Sequence, residues 1–425
     1  MKKNFLIFGL VMAFVTICFS KGYGANGTLA DGVGAKSMGM GGAFTAIADD
    51  TSSMYHNPAG IARQKGKTLE AGLNLMYPRA SYDETGNTDV YAGKLLWVLP
   101  QFGFVDKEEN SKLGWGLGMF TVAGLQVKYN LNHATFGEQP YESKLALSKV
   151  VPTIAYKLTP KLSLGAGLNV GLQEFDLKLP YVIQTGVLAG TNALVDIKTS
   201  GEGYGGIFGL LYEIDDKTTV GLTYTTKMDV DLQGTTPLIA STLLTTHYDV
   251  NIDYHWPQTL AMGLAHQFSP KLLLASDVTW VDWSANNEQL ILKLSEGTNS
   301  IVNGLAGSAS IIDVLPLDWK DRFVFHFGAE YDLNPKITLR AGYIYGKSPI
   351  PDDTVVPVLA AILEHTITLG VGYKPQKSWE YNVAYQYSFR HRQTTGQSKI
   401  LGGDFNNSKN TIYSNSLIFT IAYHF

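Results

Sequence analysis

The chain has 425 residues, among them 44 glycines, 23 tyrosines and 19 phenylalanines, with 16% charged residues and a mean hydropathy of zero. Acidic residues outnumber basic ones by 37 to 33, which argues against the basic surface that nucleic-acid binding requires. Its single cysteine, Cys18, excludes a disulfide framework and a thiolate metal site.

Lys2 and Lys3 precede an apolar run from Phe5 to Phe19, followed by small residues at Gly22, Gly24 and Ala25. That order reads as a secretory signal peptide over residues 1–24, and its apolar run is short for a membrane helix. Thr16 and Ile17 stand where lipid attachment at Cys18 would want small residues. Cleavage removes Lys2, Lys3 and Lys21, which takes the basic residues from 33 to 30 against 37 acidic, a net charge of −7. Behind the signal lies MGMGGAFTAIADDTSSMYHNPAGIARQKG, residues 38–66, which neither repeats like a helix nor alternates like a strand.

From residue 67 onward the dominant pattern has a period of two, with no apolar run long enough for a membrane helix. Leu113, Trp115, Leu117 and Met119 alternate with glycines 114, 116 and 118. Leu162, Leu164, Ala166, Leu168, Val170 and Leu172 share one face against Ser163, Gly165, Gly167 and Asn169. Phe323, Phe325 and Phe327 alternate with Arg322, His326 and Gly328, and the chain ends on an alternation from Tyr413 to Phe425. Strands are predicted near 67–77, 94–105, 113–122, 144–158, 162–175, 200–213, 218–228 and 251–268, then near 272–283, 320–332, 337–346, 365–374, 379–389 and 412–425. That is an even set of 14.

Six predicted connections are short and rich in turn residues, such as Thr159-Pro160-Lys161 and Asn334-Pro335-Lys336. Seven are long: 78–93, 123–143, 176–199, 229–250, 284–319, 347–364 and 390–411. Short and long alternate throughout, as an up-and-down barrel with short periplasmic turns and long outer loops requires. The expected fold is therefore all-β: a 14-stranded antiparallel transmembrane β-barrel over residues 67–425, in the outer membrane of a Gram-negative bacterium.

Gly201-Glu202-Gly203-Tyr204-Gly205-Gly206 matches the G-x-G-x-x-G pattern, but a dinucleotide site needs a helix after it. Here an alternating strand follows. No G-x-S-x-G elbow or H-E-x-x-H pair occurs, so no catalytic residue, cofactor or metal is expected. Several long loops are apolar: YVIQTGVLAGTNALV at 181–195, PLIASTLL at 237–244 and TVVPVLAAIL at 354–363. Such loops either expose a surface for an apolar ligand or bury their side chains against one another as a lid. The candidates for ligand contact are Val182, Ile183, Val187, Leu188, Leu238, Ile239, Leu243 and Leu244.

Gly39-x-Gly41-Gly42-Ala43, the acid pair Asp49-Asp50 and Asn57-Pro58-Ala59-Gly60 resemble the N-terminal motif of the FadL/TodX family of outer-membrane transporters. VTWVDWS at 278–284, SPIPDDTVVPVL at 348–359 and LGVGY at 369–373 extend the resemblance over the whole mature chain. It implies a monomeric carrier of long-chain fatty acids or aromatic hydrocarbons, set in outer-membrane lipid and needing no cofactor. It also implies an N-terminal hatch (plug) over residues 25–66, with Gly39, Gly41 and Gly42 for close packing and Asn57, Pro58 and Ala59 as its motif. A lateral opening is implied at the third strand, between Phe120 and Gln126, where Gly124 interrupts the alternation. Lys149 and Arg322 have inward parity near the outer end and would meet a fatty-acid carboxylate. A family member that shuttles or scaffolds a protein in secretion is the alternative function.

Overall fold

The computed structural model describes residues 27–425 except 242, 243, 286 and 404; the signal peptide and Leu243 lie outside the described residues. Nineteen strands are present among them. In chain order they are β1 (Gly66–Glu84), β2 (Asn87–Tyr91), β3 (Trp97–Lys107), β4 (Leu113–His133), β5 (Gly137–Lys157), β6 (Leu162–Val182) and β7 (Asn192–Asp215). Next come β8 (Thr218–Thr225), β9 (Met228–Ile239), β10 (Thr245–Trp256), β11 (Thr259–Ser269), β12 (Leu272–Val281), β13 (Gln289–Ser295) and β14 (Ile311–Pro316). The last are β15 (Arg322–Asn334), β16 (Ile337–Gly346), β17 (His365–Gln376), β18 (Trp379–Thr394) and β19 (Lys409–His424).

Fourteen of these close a ring. β1 pairs with β3, and β3 to β8 then pair in succession. β8 pairs with β11, β11 with β12, and β12 with β15. β15 to β19 continue the wall, and β19 returns to β1. All pairs are antiparallel, so no edge is left unpaired at the seam, as a structure surrounded by lipid requires. The outward parity carries exposed apolar side chains, with Trp115 and Leu168 both at 49%.

The wall strands outlast their predicted ends on the long-loop side, because the period-two pattern continues there with polar residues outward. The predicted loop 229–250 is mostly the hairpin of β9 and β10, and 284–319 holds β13 and β14. These pair as β7–β9–β10–β13–β14 into a sheet above the wall. The predicted strand 251–268 is two strands, broken at Pro257, which cannot donate to a ladder. The G-x-G-x-x-G run lies inside β7; a side chain at Gly201 would meet the Asp231 carbonyl at 2.1 Å, so the glycine admits the hairpin folding back on it.

Residues 27–65 lie inside the ring as irregular chain with three short helical turns, at Ala35–Gly39, Ser53–His56 and Pro58–Arg63. From Gly32 to Ala62 nearly every residue is buried. The apolar stretch 354–363 also folds inward from the long-loop side, with Val355, Val358 and Ile362 fully buried and the Val358 carbonyl accepting from Ser143 Oγ.

Candidate functional site

Where β4 leaves the lower wall, its pairing with β3 stops. The ladder runs from Asp106–Trp115 to Gln101–Phe120 and no further. Beyond it β3 stays on β1 up to Met76–Trp97, while β4 stays on β5 up to His133–Gly137. A register shift between Thr121 and Ala123 marks a bulge at Val122. The bulge flips the strand's parity, so that Val122 and Ala123 are both buried, and it turns β4 away from β3. At the lower edge of the gap Thr121 Oγ1 donates to the Pro100 carbonyl at 3.2 Å, and above it the chain ahead of β3 returns to β4, where Gly93 N–H donates to the Lys128 carbonyl at 2.7 Å. The result is a window in the wall, bounded by residues 97–100 and 121–126.

Gly124 has a specific part in it. A Cβ there would stand 2.9 Å from the Trp97 ring, so its absence lets the indole lie across the window. On the lipid side is a cleft of about 820 Å³, lined by Leu96, Val98, Met119 and Leu172 with Lys144 and Glu174 on its rim. On the lumen side is a chamber of about 110 Å³ that shares Leu99 and Gln126 with the outer cleft. A second, deeper chamber of about 90 Å³ shares Leu29, Ala30 and Asp31 with the first.

Residues 29–31 therefore form the partition between the chambers and the inner seal of the window. Leu29 makes an isolated antiparallel bridge to Ala123, and Ala30 N–H donates to the Val122 carbonyl at 2.8 Å. The N-terminal segment thus occupies the stretch of β4 edge that β3 abandons. Among the residues lining the window chamber, Asp31 is the sole charged side chain. Its Oδ2 accepts from Gln386 Nε2 at 3.1 Å and its Oδ1 has no partner among the described residues. Burial pushes this carboxyl up to about 6.

The deep chamber holds Lys149, which is 7% exposed and has no hydrogen bond or ion pair among the described residues. His56 and His326 line the same space, as does Asp277. Asp277 Oδ2 accepts from the Phe44 and Thr45 N–H groups, both at 2.8 Å, so its charge is answered by two backbone donors. His56 Nε2 lies 2.9 Å from Ser37 Oγ and 3.1 Å from the Val33 carbonyl, and burial holds the ring down at about 4.

The structure brings Lys149 to a chamber but not Arg322. The Arg322 Nε and Nη1 donate to the Ser348 and Asp321 carbonyls at 2.8 Å each, away from both chambers. Asn57 is fully buried: its Nδ2 donates to the Thr45 carbonyl at 2.8 Å and the Leu210 carbonyl at 3.0 Å, and its Oδ1 accepts from Ala59 N–H at 3.1 Å. Gly41 and Gly42 adopt φ of 64° and 74°, which glycine takes without strain. Gly39 packs directly on the wall: a Cβ there would stand 3.1 Å from the Gly370 Cα.

The outer apolar residues behave as a lid more than as an open surface. Val182, Ile183 and Leu238 are buried, Leu188 packs against the same core, and Ile239 and Leu244 are half-buried; only Val187 is strongly exposed, at 81%. The alternation of β9 and β10 buries Leu232, Val250 and Ile252 beneath them. Asp31, Trp97 and Leu29 are missing from the sequence-based site, since no local pattern marks a residue whose role depends on what the far wall does.

Comparison with known proteins agrees with the closed barrel. The family described as outer membrane protein transport protein (OMPP1/FadL/TodX) matches residues 12–425. The long-chain fatty acid transport protein of Escherichia coli K12 is 23% identical over 92% of this chain and 95% of its own length. The putative outer membrane protein NMB0088 of Neisseria meningitidis is 24% identical over 82% of this chain and 81% of its own. The toluene transporter TodX of Pseudomonas putida superposes with a TM-score of 0.79 at 22% identity, covering 94% of this chain and all of that one. With a closed 14-stranded wall and a family match over nearly its whole length, the chain belongs to the OMPP1/FadL/TodX family of outer-membrane transport channels.

Proposed function

We propose that this channel takes up long-chain fatty acids and releases them sideways through the window between β3 and β4. The single observation that supports this reading is a wall opening backed by a chamber and sealed from within by residues 29–31. Neither chamber as it stands reaches the about 150 Å³ that admits a benzene ring. Passage of a long acyl chain therefore requires the partition to move, which merges both chambers with the outer cleft. The N-terminal segment serves as the hatch, tied to the wall by Asn57. The unpaired ammonium of Lys149 is the partner for the carboxylate, and relatives named long-chain fatty acid transport proteins support that cargo. Arg322, held by backbone carbonyls, is not part of the head-group site. An aromatic hydrocarbon is the second reading, favoured by the lack of any cation around the window chamber; it needs no Lys149.

The test uses the absence of other cysteines after Cys18. Leu29→Cys with Ala123→Cys places two thiols at bridge-paired positions, where antiparallel Cα atoms stand about 4.5–5.5 Å apart, within disulfide range. Oxidation should abolish uptake of labelled oleate by cells carrying the double variant, and dithiothreitol should restore it. Uptake that continues with the disulfide formed would remove the window from the pathway. Lys149→Ala should weaken oleate uptake at least tenfold and spare toluene if the fatty acid is the cargo.

A further inference from the structure

The two chambers differ in charge, since a cation lines only the deep one, and their order along the path has a consequence for the orientation of the cargo. The deep chamber holds the unpaired Lys149 cation, together with Asp277, whose Oδ2 accepts from two backbone N–H groups, and one side of Asp31. The window chamber holds a carboxylate, Asp31, and otherwise offers Leu29, Met38, Met76, Leu99, Leu125 and Leu363. Asp31 sits on the partition itself, because it lines both spaces. Among the described residues its Oδ1 has no partner, and neither has Oγ of the buried Ser414 in the window chamber. A cargo carboxylate moved into that chamber would leave the one free cation among the deep chamber's described residues and lie beside Asp31 with no lysine, arginine or histidine lining the space to offset it. An acyl tail meets the reverse: apolar walls that continue through Leu99 into the Leu96, Val98 and Met119 side of the outer cleft.

We propose that an amphipathic acid leaves through the window tail first, with Asp31 excluding the carboxylate from the window chamber while Lys149 retains it in the deep one. This rests on the fatty-acid reading above. Asp31 is thus a specificity-determining residue that acts by charge at the partition. The outward movement of the head group is the last step, and it takes place once the tail is already in lipid.

Two photoreactive analogues of palmitate test this, one with a diazirine beside the carboxyl group and one with it near the methyl end. Each is irradiated with the full-length protein in outer-membrane vesicles, and the labelled residues are mapped by mass spectrometry. In the wild type the methyl-end probe should label 97–101 and 121–126 at least fivefold more than the carboxyl-end probe does. The carboxyl-end probe should label the surroundings of Lys149 and Asn169. Asp31→Asn keeps an acceptor for Gln386 but removes the charge, and should raise carboxyl-end labelling of the window at least fivefold; Asp31→Glu should restore the wild-type pattern. Equal labelling of the window by both probes in the wild type overturns the proposal, as does an Asp31→Asn pattern unchanged within twofold. If neither probe labels any chamber residue in competition with unmodified palmitate, the fatty-acid reading itself has failed, and the orientation falls with it. Heat-resistant migration on gels confirms that each variant is a folded barrel.

Discussion

Asn57 concentrates three hydrogen bonds on one buried side chain, and two of them tie separate pieces together: the carbonyl of Thr45 in the N-terminal segment and that of Leu210 in β7. Asn57→Ala would leave the Thr45 carbonyl and the Ala59 N–H without their side-chain partner, at about 1–3 kcal/mol each, and would remove the amide contact to the Leu210 carbonyl, which sits in the β7 ladder. The wall itself loses only one carbonyl contact, so the barrel should keep its heat-resistant migration. Amide hydrogen exchange over residues 40–62 should rise at least tenfold, and oleate uptake should fall; unchanged exchange would show that the segment is held by packing alone. His56 adds a pH dependence. Its buried ring titrates at about 4 instead of the usual 6.5, so its contribution to docking is full above 6.5 and is lost as the pH falls through 4. Asp31 and Asp50, both pushed up to about 6 by burial, act in the opposite sense: their contribution is full below 3.8 and is lost as the pH rises through 6. The difference in exchange between wild type and His56→Gln isolates the histidine. It should widen as the pH falls from 6.5 to 4, and a difference that stays flat would place His56 outside the docking equilibrium.

The segment and the wall fit each other through paired glycines. Gly165 and Gly209 are register partners on β6 and β7, and together they seat the Asn57–Ala59 motif. A Cβ at Gly209 would stand 2.0 Å from Asn57 Oδ1, and one at Gly165 2.3 Å from the Pro58 carbonyl carbon. Gly328 and Gly342 are likewise partners on β15 and β16, and a Cβ at Gly342 would stand 2.2 Å from the Gly41 nitrogen. Gly209→Val should therefore undock the motif as Asn57→Ala does. The double variant should exchange no faster than the faster single one, because both changes break one contact; additive effects would mean two independent anchors. The wall strands and short turns were legible in the sequence because each local pattern states its own face. The β4 bulge left a trace in Gly124, since a parity flip is also local. The outer hairpins look like loops in sequence because their outward faces are polar, as solvent-exposed chain is, although Met228, Val230 and Leu232 keep the period of two. Arg322 has inward parity in its strand, but nothing in that strand announces the Ser348 carbonyl that occupies it. The same limit hid Asp31, whose neighbours come from β18 and from the abandoned edge of β4.

At the scale of the whole barrel, the window stands where the lipid-facing surface changes character, and that position matters for release. Along β4 the outward residues Trp115, Leu117 and Met119 are apolar, and the bulge follows immediately. Above it the outward face becomes charged in register across four strands. Lys128 opposes Glu142, Glu142 opposes Lys178, and Lys178 opposes Asp196; Lys128–Glu142 and Lys178–Asp196 close to 2.6 and 2.8 Å. The nine residues of tilted strand from Leu113 to Thr121, eight steps, rise about 20 Å, close to the apolar band of about 25 Å typical of such barrels. The window therefore lies at the upper edge of the hydrocarbon layer; on the proposed path a tail would enter lipid there while a head group stays near the charged rows. Depth can be read by substitution. Leu168 opposes Gly206 at mid-band, whereas the outward Ser200 opposes Glu174 above it. Leu168→Arg should destabilise the reconstituted barrel by about 2–4 kcal/mol in reversible denaturant unfolding, and Ser200→Arg by about 0–1 kcal/mol. Equal costs at the two positions would put the charged rows inside the hydrocarbon, and would move the window from the membrane's edge to its middle.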